Sequence, residues 1–382
     1  MSVIQSEALE ADQVELDAIT ELGEQLISSV LAEESVDTVT QLVKSGAPLW
    51  YQTNSEGISC LHAAAYVQNA ELVKLFIEGG AIWSASDYLG NTAGDIALSF
   101  NNEEIYTIIR DAGLREELVR ALLSSHGMAD AESTMTLRLE DDDTAATSTE
   151  TFLASKLRFT VDEHGQEICM LKDVDGDEIG VMMGWERGIM QETVAKLADA
   201  RRSTNGLKIL NIGFGLGLID TLIQGLSPVH HVIVEAHPDV LKHMKEQGWY
   251  EKPGVTILEG KWQDFINSEK IQTIVPDGAF DIVYTDPFSE DYAALRQLFG
   301  HLQVLLGPQG KFSFFNGLGA TNATIYDVYS RVAEVHLADA GFDVTWYDVD
   351  VRDSAGDRWG SSRKYFTCPT YRLPVVCRTI DE

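Results

Sequence analysis

Apolar residues in the first third of the chain come in short helical stretches closed by glycine. Glu71-Leu-Val-Lys-Leu-Phe-Ile-Glu-Gly-Gly80 is one such stretch, and Glu104-Ile-Tyr-Thr-Ile-Ile-Arg-Asp-Ala-Gly113 repeats it thirty-three residues later. Gly57-Ile-Ser-Cys-Leu-His-Ala-Ala64 recurs at the same interval as Gly90-Asn-Thr-Ala-Gly-Asp-Ile-Ala97, and Gln41-Leu-Val-Lys-Ser-Gly-Ala47 is a weaker, earlier copy. Several positions sharing one period predict a stack of repeats, each a turn followed by two short helices, flanked by capping helices such as Glu10–Leu31. An all-α repeat domain over residues 1–125 is expected.

The pattern then changes twice. Residues 126–150, with Asp141-Asp-Asp143 and Thr144-Ala-Ala-Thr-Ser-Thr149, are acidic, small and polar, and read as a flexible linker. Lys156–Val161 and Glu167–Leu171 predict hairpin strands around the turn Asp162-Glu-His-Gly165. From about residue 190 helices alternate with strands: helix Gln191–Arg202, strand Lys208–Ile212, helix Leu218–Gly225, strand His231–Glu235, helix Pro238–Gln247 and strand Val255–Glu259. Strand Phe280–Tyr284, helix Tyr292–Leu306, strand Gly310–Asn316, helix Thr324–Ala340 and strand Asp343–Val349 follow, with a last strand around Lys364–Cys368. Such alternation predicts an α/β domain over 151–382 with a doubly wound, largely parallel sheet, closed by an antiparallel hairpin as a seventh strand.

Charge adds a partner class. The net charge is −32, and residues 1–150 hold 27 acidic against 6 basic side chains, leaving 33 against 22 for the remainder. That field opposes binding to phosphate backbones, so no direct nucleic-acid partner is expected. It attracts basic proteins and speeds their encounter. No run of 18 apolar residues exists and the first residues are acidic, so neither a membrane span nor a leader is expected, and the protein is placed in the cytoplasm and nucleus. Cys60, Cys169, Cys368 and Cys377 have no CxxC spacing, and His164, His237 and His301 no metal-like spacing, so no metal site is expected and these histidines read as surface or capping residues.

Leu207-Lys-Ile-Leu-Asn-Ile-Gly-Phe-Gly-Leu-Gly217, followed by Val232-Ile-Val-Glu235, is the opening of a nucleotide-binding βαβ unit. Gly213, Gly215 and Gly217 let the turn adopt positive φ and bring backbone close to a ligand. Glu235, ending the second strand, suits a ribose diol, which S-adenosylmethionine and NAD share. The GxGxG spacing, rather than GxGxxG, and the terminal hairpin favour S-adenosylmethionine. After the third strand, Glu259-Gly-Lys-Trp-Gln-Asp264 stands where adenine would lie, with Trp262 to stack on it and Asp264 to accept from its amine. Asp286 ends the fourth strand, outside the carboxyl edge where open α/β sheets bind ligands, in a turn stiffened by Pro287. Glu186, in the Gly184-Trp-Glu segment, is placed over the same pocket. Tyr284, Phe288, Asn316 and Tyr326 are further candidates for its lining, though each reads first as a packing residue.

Five motifs appear in order: Met182-Met-Gly-Trp-Glu186, Asn211-Ile-Gly-Phe-Gly215, Val234-Glu235, Glu259-Gly-Lys-Trp262 and Phe280-Asp-Ile-Val-Tyr-Thr-Asp286. Over about 155–368 they resemble the guanidinoacetate methyltransferase family. With the repeats, which resemble ankyrin repeats through imperfect echoes of T-P-L-H-x-A, and Phe312-Ser-Phe-Phe-Asn-Gly-Leu-Gly319, the whole chain resembles the fungal type IV protein arginine N-methyltransferases. Their usual Tyr-Tyr-Asp-Thr-Phe-Ser-Glu is here Tyr284-Thr-Asp-Pro-Phe-Ser-Glu290. The resemblance implies a seven-stranded Rossmann-like methyltransferase sheet and S-adenosylmethionine as cofactor. It implies cofactor contacts from Met182, Gly213, Gly215, Gly217, Glu235, Gly260, Trp262 and Asp286, and a guanidinium clamp made by Glu186 and Asp286. The expected reaction is methylation of the δ-nitrogen of arginine in a basic, by analogy ribosomal, protein.

Physical chemistry supports the clamp. A guanidinium is planar and always protonated, hence a poor nucleophile, and two carboxylates accepting its N–H groups localise its charge on the nitrogens they hold. Two acids could present any of the three nitrogens. A small-molecule guanidino methyltransferase is the nearest alternative, against which the acidic repeat region speaks. An inactive scaffold is opposed by the intact Gly213, Gly215, Glu235, Glu186 and Asp286, and a dehydrogenase by the glycine spacing.

Overall fold

A computed structural model describes residues 3–125, 149–162, 165–172, 178–198, 206–266, 271, 274, 279–288, 290–352, 359 and 364–380. The chain divides into two compact units, one of residues Met1–Thr134 with Asn322–Val332, the other of Met135–Thr321 with Ala333–Glu382. Most of the expected linker, 126–148, and His164 lie outside the described residues.

The first unit is helical. After α1 (Val3–Leu31), helices α2 (Val36–Lys44), α4 (Ala70–Glu78) and α6 (Glu103–Ser125) recur at the repeat interval, with α3 (Cys60–Tyr66) and α5 (Ala93–Ser99) between them. The repeat has a physical basis at its helix starts. Ser59 and Thr92, one period apart, each cap a helix by accepting from the backbone N–H three residues on, and His62 and Asp95 return the bond to the cap's own N–H. His62 also pairs through Nε2 with the Asn91 carbonyl at 3.0 Å, tying one repeat to the turn of the next. Asp95 instead accepts from the backbone N–H and hydroxyl of Thr324, at 3.2 and 3.0 Å, so residues 322–332 take the succeeding place in this unit. Leu26, Val39, Leu61, Leu72, Phe76 and Ile105 fill its core.

The second unit opens with α7 (Thr149–Ala154) and a small antiparallel sheet of β1 (Leu157–Val161), β2 (Glu167–Lys172) and β3 (Glu178–Met183). The alternating part follows as α8 (Arg187–Ala198), β4 (Lys208–Ile212), α9 (Leu218–Gln224), β5 (His230–Glu235), α10 (Pro238–Glu246) and β6 (Val255–Glu259). It continues as α11 (Gln263–Ile266), β7 (Phe280–Thr285), α12 (Tyr292–Leu305), β8 (Leu306–Phe314), α13 (Ala323–Asp339), β9 (Phe342–Asp350) and β10 (Thr370–Arg378). The seven-stranded sheet has the order β6-β5-β4-β7-β8-β10-β9, with β4 to β8 parallel and β10 antiparallel to both neighbours. Leu210, Val232, Phe280, Val283 and Phe312 are fully or almost fully buried in it, as expected of parallel strands covered on both faces. No described helix is long and apolar enough to cross a membrane.

Three differences from the sequence reading have local causes. The last strand is Thr370–Arg378, not Lys364–Cys368. It holds Pro374 because that residue lies opposite Trp346 of β9, while pairing with β8 involves only Val376 and Cys377, so no ladder bond to β8 is lost to the missing N–H. Strand β3 had no expectation at all, since its apolar run is interrupted by Gly180. Helix α8 starts at Arg187 rather than Gln191, because a 3₁₀ turn at Gly184–Glu186 leads straight into it and Ile189, Met190, Thr193, Val194 and Leu197 form its buried stripe.

Candidate active site

The carboxyl ends of β4, β5 and β7 open on a cavity of about 360 Å³ within the second unit. Its floor is the glycine loop. Gly213 leaves β4 at φ +89°, its N–H donating to the Val234 carbonyl at 2.9 Å, while the Asp286 N–H donates to Ile212 at 2.9 Å. These bonds press the two loops together, and a Cβ on Gly213 would lie 2.5 Å from the Asp286 carbonyl oxygen. Gly213→Ala therefore adds a backbone clash to an unfavourable φ, and should weaken cofactor binding by about tenfold or more and lower the melting temperature by several degrees. Calorimetric titration and a thermal melt check both.

Glu235 holds the loop from the other side. Its carboxylate accepts from the Phe214 N–H at 2.9 Å and the His237 N–H at 2.7 Å; burial pushes its pKa up and these backbone donors oppose the rise. The Ala236 and Gly215 N–H groups act in the same sense, and the carboxylate lines the cavity. His237 is a buried cap of α10, its Nδ1 accepting from the Asp239 N–H. Beneath the loop, Asn211 donates to the Gly213 carbonyl at 2.9 Å and to Asp220 at 2.8 Å, and Asp220 pairs with His231 at 2.9 Å. All three are fully buried. Sequence reasoning passed over them, although an Asn inside an apolar strand was a usable signal, since buried polar groups need partners.

The small sheet supplies the opposite wall. Met182 on β3 reaches over the loop, its sulfur 3.5 Å from where a Cβ on Gly215 would stand. The strand then turns at Gly184–Glu186 and delivers Glu186 into the same cavity as Asp286. Burial, followed by the charge of Asp286, raises the Glu186 pKa to about 8, against the stabilising bond from the Tyr365 hydroxyl. Burial raises Asp286 to about 7. Two acids in one recess, with no cation among the described residues lowering the pKa of either, form a ready cation site.

Met182, Glu186, Gly213, Gly215, Glu235, Gly260, Trp262 and Asp286 all line this one cavity, as do Tyr284 and Phe288. Gly217 does not. It begins α9 at φ +68° under the Phe214 ring, so its glycine serves the turn. Asp264, in α11, is also absent from the lining, its Oδ2 standing 3.7 Å from where a Cβ on Gly260 would be. The carboxylate beside Trp262 is Glu290 instead, which accepts from the indole N–H at 2.8 and 2.9 Å and from Gln263 at 3.3 Å. Asn316 and Tyr326 are buried elsewhere, Asn316 donating its N–H to the Tyr371 hydroxyl at 2.9 Å. Glu290 and Tyr365 are lining residues that the sequence did not single out.

Residues 173–377 match the Guanidinoacetate N-methyltransferase family, and residues 56–88 match the Ankyrin repeat. Protein arginine N-methyltransferase 2 of Cryptococcus neoformans is 40% identical over 356 residues, covering 88% of this chain and 90% of that protein. Proteins of the same name are 36% identical in Aspergillus fumigatus, over 86% of this chain and 84% of theirs, and 35% identical in Saccharomyces cerevisiae, over 80% and 77%. The glycine loop, Glu235 and the paired acids thus stand inside the matched region, and the chain belongs to the protein arginine N-methyltransferase 2 family.

Proposed function

We propose that this chain transfers a methyl group from S-adenosylmethionine to the δ-nitrogen of an arginine in a basic protein. The observation that carries the reading is the convergence of Glu186 and Asp286 on one cavity with the glycine loop and Glu235. The residues present fit the donor. The glycine loop lines the cavity at Gly213 and Gly215, Glu235 at the end of β5 presents a carboxylate of the kind a ribose diol takes, and the Trp262 indole lines the cavity beyond Gly260. When bound, S-adenosylmethionine supplies an electrophilic methyl group on a sulfonium.

The chain's own residues prepare the acceptor. Glu186 and Asp286 take the N–H groups of the two terminal guanidinium nitrogens, drawing positive charge toward the carboxylates and leaving the internal nitrogen free to develop a lone pair. As the new nitrogen–carbon bond forms, one carboxylate accepts the proton the guanidinium gives up, directly or through water. Holding the acceptor in line by two acids contributes the orientational part of the acceleration. The acidic first unit is the docking element for the basic partner, a ribosomal protein being one of suitable charge.

Labelled cofactor incubated with an extract, followed by fragmentation mass spectrometry of the labelled arginine, is expected to place the methyl on the internal nitrogen of a protein-bound residue. Label confined to guanidinoacetate-like metabolites would overturn the protein substrate, and label on a terminal nitrogen would overturn the δ assignment.

A further inference from the structure

The short segment before β10 puts a phenol against the clamp. Tyr365 lines the cavity and donates its hydroxyl hydrogen to Oε1 of Glu186, a bond joining residues 179 apart in sequence. Its ring is gripped by aromatics: Trp359 at 4.7 Å edge to face and Trp185 at 5.9 Å, with Phe366 at 5.9 Å from Trp185 completing the cluster. Two of these aromatics adjoin the bonded residues in the chain, Trp185 beside Glu186 and Phe366 beside Tyr365, so both bonded side chains are set by packing rather than by solvent-exposed rotamers.

Among the described residues, the other titratable groups near Glu186 do not duplicate this contact. Asp286 bears the same charge sign. Tyr284, on β7, spends its hydroxyl on the Met190 sulfur at 3.4 Å. Arg187, next in the chain, turns outward to Glu167 at 3.3 Å. Tyr365 itself is held far above the ordinary phenol range, by burial first and then by the Glu186 charge, so its hydroxyl stays protonated and able to donate, while the Trp185 indole, donating toward its oxygen, opposes the rise.

We propose that Tyr365 is a positioning residue for methyl transfer: its hydroxyl engages one oxygen of Glu186, favouring the carboxylate form and leaving its second oxygen for the guanidinium. This rests on the clamp reading above. A donor to the charged form favours ionisation, opposing the burial and the Asp286 charge that favour the neutral acid. It also removes one rotational degree of freedom from a side chain that must meet a planar cation edge-on.

The test is the pH profile of kcat/KM for Tyr365→Phe, which keeps the ring and loses only the donor. Its acidic limb should move to higher pH by about one pH unit, giving a loss of about tenfold at pH 6.5 that shrinks above pH 9, with cofactor affinity unchanged. An unshifted limb in Tyr365→Phe, or a uniform loss at every pH, would overturn the proposal. Glu186→Gln measured alongside separates the two claims: full turnover there defeats the clamp itself, whereas its loss with an unshifted Tyr365→Phe profile defeats only the role of Tyr365.

Discussion

Glu186→Gln and Asp286→Asn are each expected to lose methyl transfer by about 10²- to 10⁴-fold while still binding S-adenosylmethionine. Either substitution keeps side-chain volume and removes one carboxylate from the pair. The remaining acid can still attract a guanidinium, but charge is then drawn to one terminal nitrogen only, and the amide can neither pair bidentately nor accept a proton. Folding supplies the control. Both acids titrate higher in the folded protein, about 8 and 7, than the roughly 4 of an unfolded carboxyl. The folded state therefore holds more protons between those values, and the pair's contribution to stability, complete below about pH 4, is lost as pH rises through 7 to 8. At pH 8 the amide variants should accordingly melt no lower than the parent. Wild-type-like turnover in both, measured by transfer of labelled methyl to protein, defeats the clamp.

The second expectation is a steep acidic limb in kcat/KM. The competent form has both acids ionised, and with the free enzyme's groups near 8 and 7 that form is scarce at pH 6 and prevalent only above pH 8. Two protons must be lost, so kcat/KM should rise by about a hundredfold or more between pH 6 and pH 8. A bound guanidinium supplies the opposite charge the pair lacks and lowers both pKa values, so the kcat limb should lie at lower pH than the kcat/KM limb. Binding must then release protons, which titration calorimetry in buffers of different ionisation enthalpy reads directly. A flat profile over this range, or no proton release, would show that the acids are already ionised in the free protein.

Much of the site could be read before any coordinates because the motifs lie at strand ends. Glycine spacing after an apolar run marked the β4 turn, and the acids closing β5 and β7 follow from the alternation, so Gly213, Glu235 and Asp286 were legible as one carboxyl edge. Glu186 was legible only through its motif, since β3, which carries it there, has a glycine-broken pattern. Asp264, in the short helix α11, is not among the cavity's lining residues, and Glu290, 26 residues further on, accepts from the Trp262 indole.

The sequence alone determined the repeat period, the capping signals that recur with it, the alternation of strands and helices from β4 to β9, the acidity of the first region and the chemistry available at the strand ends. Those depend on local propensity, turn residues and composition, which act over a few residues. Tertiary structure decided which acids share a recess, how far burial and mutual repulsion raise their pKa values, and that Tyr365 reaches Glu186. Those depend on distance and dielectric between residues far apart in the chain, and no spacing along it encodes them.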